Sequence, residues 1–253
     1  MEFFVGTRFF ETDPSKAKAS LEKLVQFIDS ALYAGVSSVY VAVNSDKDVS
    51  GALSLELDAE LAKIVIFPVT PWGRFVQPLN AILGMAQGDI AKGMNFLSAS
   101  VEVQLTDEIV DTLVDHMDMQ TLVVGAVLQG HDYKGERVIH EATGCQVPWN
   151  TLSMWNSEFL YRGGGFPMIG DGLPGDPSTA GVEEVTTISM VQQRFPHLEA
   201  KLVKLTGDSS WDTSSFTGDR LAKHLAKMAS KEQRPAAQLR WAGLVPPRVI
   251  HLY

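Results

Sequence analysis

Cysteine is almost missing from this sequence: among 253 residues only Cys145 carries a thiol. No disulfide can close within the chain, and zinc cages of the CxxC type are excluded. Such sparing use of cysteine fits a reducing compartment, and a cytoplasmic setting is the natural expectation. Positive charge is scarce too. Lys and Arg number 21 against 30 Asp and Glu, a net charge of -9. That balance argues against a nucleic-acid binder working by phosphate neutralisation, while leaving room for a local basic pocket for one nucleotide. No run of about 18 apolar residues occurs, so no transmembrane helix is expected. The opening MEFFVGTRFFE is apolar but holds Glu2 and lacks a basic start; it reads as a first strand rather than a signal peptide. Gly163-Gly164-Gly165 is not GxGxxG, no Walker lysine is present, and the six histidines form no HxxxH pair on one helix.

What is present is a hydrophobic share of 45%, enough for a sizeable core in one large α/β domain or two small ones. Phe3 to Phe10 reads as a strand ending near Arg8. Asp13-Pro14-Ser15 fits a helix start, and Ala19, Leu21, Leu24, Val25, Ile28 and Leu32 keep a helical period to Tyr33. Val36 to Val43 is a second strand, Lys63 to Val69 a third, Met94 to Leu97 a fourth and Thr121 to Leu128 a fifth. Helices are expected over 57–62, through Asn80 to Met85 and from Asp107 to Met117, with Gly88 to Gly93 as a link. Apolar strands alternating with amphipathic helices predict a mostly parallel, open α/β sheet with flanking helices.

The second half breaks that rhythm. A helix is expected from Thr151 to Tyr161, then a Gly- and Pro-rich stretch, a helix from Val182 to Arg194 and a strand over Glu199 to Leu205. Residues 1–205 read as one domain and 206–253 as a C-terminal helical extension packed on it. Arg220, Lys223, Lys227 and Lys231 give its helix a basic face, read as solvated. Trp241 and Pro246-Pro247 point to docking on the domain or on a second copy of the chain.

The ordered pieces from Gly73 to Met117 resemble the middle of a GT-A fold glycosyltransferase, family 2-like. Pro78-Leu79-Asn80-Ala81 and Phe96-Leu97 fall at the matching places. Downstream, Trp149 to Trp155 and Gly163-Gly164-Gly165-Phe166 resemble that family's acceptor region, and Gly181-Val182-Glu183-Glu184 its acidic helix start. The resemblance covers roughly residues 1 to 205 and implies a nucleotide-diphosphate sugar donor. It also implies an Asp-x-Asp motif holding Mg2+ or Mn2+. Here Ser98-Ala99-Ser100 stands in that place, a degenerate motif, and a hydroxyl replaces an anionic ligand poorly. Glu102 is the one nearby carboxylate, on the face of Ser98 and Ser100 if the strand continues. Either Glu102 and the donor hold the metal, or cationic side chains replace it, or turnover is lost.

Within this resemblance Glu184, with Glu183 beside it, is the base candidate; two carboxylates at a helix start also simply suit the helix dipole. Thr7 and Arg8 at the first strand end, Asn44 and Asp46 at the second, Arg74, Ser98 and Ser100 are the donor-binding candidates. Turn formation explains Asn44 and Asp46 equally well. Trp149, Asn150, Arg162 and Gly164 are acceptor candidates; Asn150 would otherwise cap a helix at Thr151, and Trp149 would otherwise fill the core. His131 reads as part of a polar loop. Three functions follow: a sugar transferase with an altered cation motif, an inactive binding or scaffold protein on the same fold, or a nucleotidyltransferase. The last usually opens with a longer glycine-rich loop than Gly6-Thr7-Arg8 supplies.

Overall fold

The computed structural model describes residues 1–13, 15–44, 63–205, 218, 222, 226, 230–231 and 233–253. The helix expected at 57–62, Asp46, and most of the basic helix over 220–231 lie outside the described residues. Nine strands form one sheet: β1 Phe3–Phe9, β2 Val39–Asn44, β3 Ile64–Val69, β4 Asn95–Ala99, β5 Thr121–Ala126, β6 Arg137–Ile139, β7 Leu152–Trp155, β8 Glu199–Val203 and β9 Val249–Leu252. Their order is β3-β2-β1-β4-β7-β5-β8-β9-β6. β7 runs against β4 and β5, and β6 against β9; the other pairings are parallel. Seven strands therefore point their carboxyl ends at one edge.

The helices are α1 Ala17–Tyr33, α2 Val76–Met85, α3 Gln87–Ala91, α4 Asp107–Asp115, α5 Ser157–Gly163, α6 Glu183–Arg194 and α7 Gln233–Ala242. α1 turns Leu24, Phe27, Ile28 and Ala31 inward, as its period foretold. α4 opens on Thr106, whose hydroxyl accepts from the Ile109 N–H, with Asp107 and Glu108 in the favourable first turn. α2 crosses β1 closely. A side chain on Gly6 would meet Ile82 and Phe96 at 2.6 Å, so only glycine permits that approach. Among the described residues no helix is long and apolar enough to cross a membrane.

Three expectations need correction. The link Gly88 to Gly93 holds the short helix α3. The segment 152–155 is not the start of a helix but β7, fully buried between β4 and β5. Leu and Met favour helix, yet two flanking ladders satisfy the backbone on both sides, and this tertiary pairing overrides a weak local preference. The helix opens at Ser157 instead, with Asn156 accepting from the Phe159 N–H. Finally, β6, β9 and α7 were not anticipated. β9 pairs with β8 and β6 with β9, so the chain's last residues extend the sheet.

Candidate functional site

The carboxyl edge of the sheet gathers side chains from β1, β4, the loop before β7, and the start of α6. Arg8 leaves β1 with Nη1 donating to the Phe75 carbonyl at 3.0 Å and standing 3.5 Å from Glu183 Oε1. Thr7 is buried, and its hydroxyl has no hydrogen-bond partner. At the β4 end, Ser98 Oγ donates to the Asn150 carbonyl at 2.9 Å. Ser100 Oγ donates to Glu102 through a short hydrogen bond. The route to that contact differs from the one expected. β4 ends at Ala99, and the Val103 N–H returns to the Ser100 carbonyl. A turn, not strand alternation, brings Glu102 back to Ser100.

Asn150 is the hub. Its N–H donates to Glu184 Oε1 at 2.8 Å, its Nδ2 to Glu183 Oε1 at 3.2 Å, and its Oδ1 accepts from Trp155 Nε1 at 3.0 Å. It caps no helix at Thr151, because the chain there enters β7. The inserted antiparallel strand is what carries Asn150 to the edge where the parallel strands end.

Glu183 is 3% and Glu184 7% exposed, in the first turn of α6. Burial first, and the neighbouring Glu183 charge second, push the Glu184 carboxyl up to about 7; Lys231 and the Asn150 N–H pull the other way. Lys231, read from sequence as part of a solvated face, is buried instead. Its ammonium stands 3.0 Å from the centre of the Trp149 ring, a cation–π contact. His131 stacks on the same Trp149 with ring centres 3.7 Å apart. Burial and Lys231 push His131 down to about 3, so it stays neutral at physiological pH. Its Nδ1 accepts from the Leu128 N–H at 2.8 Å and its Nε2 lies 3.0 Å from the Val147 carbonyl. Trp149 donates to the Gly144 carbonyl and is 2% exposed. Arg234 adds a third cation around the acid pair. Burial lowers its pKa while Glu183 and Glu184 oppose that fall.

The structure therefore links Arg8, Ser98, Asn150, Glu183 and Glu184, with Ser100 and Glu102 on the turn after β4 and Trp149 beside Asn150 in the chain; Thr7 adjoins Arg8 in β1 but leaves the opposite face of the strand. The others are spent elsewhere. Asn44 pins the chain after β1, accepting from the Glu11 N–H at 3.2 Å and donating to the Glu11 carbonyl at 3.0 Å. Arg74 is exposed and donates to the Pro177 carbonyl at 2.7 Å. Arg162 pairs with Glu158 at 3.0 Å and lies over Phe159 and Phe195. Gly164 caps α5 at φ 103°. Neighbouring Gly163 packs on Val191, about 12 Å along α6 from Glu183. Lys231, Arg234 and His131 were missed as site residues. The four-residue spacing of lysines looked like a surface stripe, and nothing local marks Lys231 as buried.

The chemistry of the corner also bounds a cation. Among the described residues no three His, Cys, Asp or Glu side chains stand together as a metal cage. Glu102 with the Ser98 and Ser100 hydroxyls is a hard oxygen set with one charge. It fits only a Mg2+ or Mn2+ shared with a ligand's phosphates, not a resident ion.

No protein-family model matches the chain, and no curated protein matches it. Solved structures do. The mannosyltransferase PcManGT from Pyrobaculum calidifontis, in complex with GDP-Man and Mn2+, is similar at TM-score 0.51 and 15% identity, covering 75% of this chain and 52% of that one. The chain thus spans about half the length of that mannosyltransferase. A putative glucose-1-phosphate thymidylyltransferase from Bacillus anthracis, in complex with a sucrose, is similar at TM-score 0.53 and 7% identity, covering 89% of this chain and 95% of that one. Identities so low speak to architecture alone. With the mostly parallel sheet and flanking helices, they show that this chain has a GT-A-like α/β fold.

Proposed function

We propose that this protein is a glycosyltransferase that moves a sugar from a nucleotide-diphosphate donor to an acceptor hydroxyl. One observation carries the reading: a buried carboxyl held near neutrality, Glu184, at the carboxyl edge where open α/β sheets bind their ligands. A general base works best when its pKa lies near the working pH. In the reaction, the acceptor oxygen forms a bond to the sugar's anomeric carbon as the bond from that carbon to the diphosphate oxygen breaks. The acceptor proton passes to Glu184, and the leaving electron pair stays on the diphosphate.

Glu183 holds Asn150 and Arg8 in place. Arg8 offers a planar fork toward a diphosphate. The Thr7 hydroxyl, buried without a partner, is a donor waiting for an acceptor atom at the β1 end. Glu102 is the residue that would hold a Mg2+ or Mn2+ arriving with the diphosphate, and such an ion would supply charge neutralisation on the leaving group. The acid pair favours sugar transfer over the scaffold alternative, because burying two adjacent carboxylates is costly for a fold that does not use them.

The test is thermal unfolding with UDP-, GDP- and CDP-sugars, with and without Mn2+, followed by transfer assays over pH 5–9. At least one donor should raise the melting temperature, and the rate should climb through about pH 7 to a plateau. Glu184→Gln should lower transfer by roughly 10²–10⁴-fold while keeping donor binding. The reading falls if no nucleotide sugar stabilises the protein. Turnover only with a nucleoside triphosphate and a sugar phosphate would reassign it to nucleotidyl transfer.

A further inference from the structure

The chain enters α6 in an unusual way. Val182, the residue before Glu183, sits at φ 60° and ψ 33°, in the left-handed region. Among the described residues it is the only non-glycine with positive φ. β-branched side chains avoid that region, and such strain persists only where surrounding contacts over-determine it. Those contacts come from α7. Gln238 Nε2 donates to the Thr179 carbonyl at 2.6 Å and to the Gly181 carbonyl at 3.0 Å. Arg234 Nη1 donates to the carbonyl between them, on Ala180, at 2.5 Å. Three consecutive carbonyls ahead of Val182 are thus held by one helix. On the other side Val182 packs on Gly144, where any Cβ would come within 2.5 Å of Val182 Cγ1.

Gln238 is fully buried, and its Oε1 has no hydrogen-bond partner. A methionine would fill the same space without stranding an oxygen. What methionine cannot do is donate two hydrogen bonds to carbonyls two residues apart. We infer that Gln238 is a positioning residue for the Glu183–Glu184 pair: its amide holds the left-handed turn at Gly181–Val182 that sets where both carboxyls enter the carboxyl-edge cluster. The inference rests on the acid–base reading of Glu184 given above. If the turn relaxes, the first turn of α6 shifts, the bond from Asn150 N–H to Glu184 loosens, and water reaches the carboxyl. The charged groups around Glu184 are Glu183 on its own helix, with Arg8 of β1 against that neighbour, and Lys231 and Arg234 from the C-terminal segment. All four survive a change at Gln238, so a moved titration reports geometry rather than a deleted charge.

The experiment is a ¹³C NMR titration of glutamate side-chain carboxyls, with Glu184 assigned from the Glu184→Gln spectrum. Gln238→Met should lower the Glu184 midpoint by about 1 or more, because hydration restores the ordinary carboxylate range. Adding Val182→Gly to Gln238→Met should bring the midpoint back to within about 0.3 of the parent, since glycine adopts the left-handed turn without strain. A residue that only fills space would show neither the fall nor the rescue. If Gln238→Met does not fold, Gln238→Asn takes its place: it keeps an amide but is one methylene too short to span both carbonyls, and the same fall and rescue are expected. An unmoved midpoint in a folded variant overturns the inference, as does a fall that Val182→Gly fails to reverse. A parent midpoint near 4.5 sinks the acid–base reading itself, and is seen before any Gln238 variant is compared.

Discussion

Replacing Glu184 by glutamine should make the protein more stable at neutral pH, and the size of the gain follows from its burial. In the folded chain Glu184 keeps its proton to about pH 7; unfolded, it loses it near the ordinary value of 4.5. Between those values the folded state binds more protons than the unfolded one. Stability contributed by this group is therefore full below about pH 4.5, falls as pH rises through the window, and is lost above about 7. At about 1.4 kcal/mol per pH unit, the loss is about 3 kcal/mol. Glutamine keeps the shape and can still accept from the Asn150 N–H, but it never ionises. Urea unfolding of both proteins from pH 4 to pH 8 should give similar stabilities at the acid end. The variant should lead by about 3 kcal/mol at pH 8, or roughly 6–12 °C in melting temperature. Since the Glu183 charge is the second cause of the rise, Glu183→Gln should shrink that lead. A stability difference that stays flat within about 0.5 kcal/mol across the range would refute the claim that Glu184 is buried and near neutral in charge. So would a lead that grows toward acid pH.

Other perturbations probe the cluster from different sides. Arg8→Met should weaken binding of nucleoside diphosphates by about tenfold or more, measured by calorimetry at fixed salt, because a charge-assisted hydrogen bond is worth about 1.5–3 kcal/mol; unchanged affinity would remove Arg8 from the donor site. Glu102→Gln should abolish any Mn2+ dependence of donor binding while leaving metal-free binding intact, and a variant that still responds to Mn2+ places the cation elsewhere. His131 should remain neutral to about pH 4, with ring ¹⁵N shifts of a single tautomer bearing the proton on Nε2. Its folded pKa is depressed, so the stability it contributes is present above about pH 6.5 and lost as pH falls toward 3; titration of the ring at about 6.5 in the folded protein would contradict that packing.

Much of this architecture was legible because its signals are local. The apolar period of α1, the helix start at Asp107, and the alternation of strand and helix from β3 to β5 each follow from neighbours along the chain. The place of the acid pair at a helix start was legible too, since two adjacent carboxylates suit a first turn. What stayed hidden was set by distant parts of the chain. Leu152 to Trp155 is a strand because β4 and β5 wait on either side of it, and no window around those four residues contains that fact. Val138 and Ile250 meet across β6 and β9 from more than a hundred residues apart.

The hidden parts are also the ones that build the site. A purely parallel sheet would leave the β4 end facing solvent at Ser98. Inserting β7 in reverse brings the chain back to the carboxyl edge just before Leu152, and so delivers Asn150 between Ser98 and the acid pair. One backbone carbonyl, one backbone N–H and one side-chain amide then link the Ser-Ala-Ser corner to Glu183 and Glu184. The C-terminal segment closes the arrangement: Lys231 lies against Trp149, next to Asn150 in the chain, while Arg234 and Gln238 hold the turn before the acids. Local sequence supplies the reactive groups, and long-range strand pairing decides their ionisation. For that reason the titration of Glu184 tests the fold and the proposed chemistry at once: neither a misplaced β7 nor a solvated α6 start would leave a carboxyl near 7.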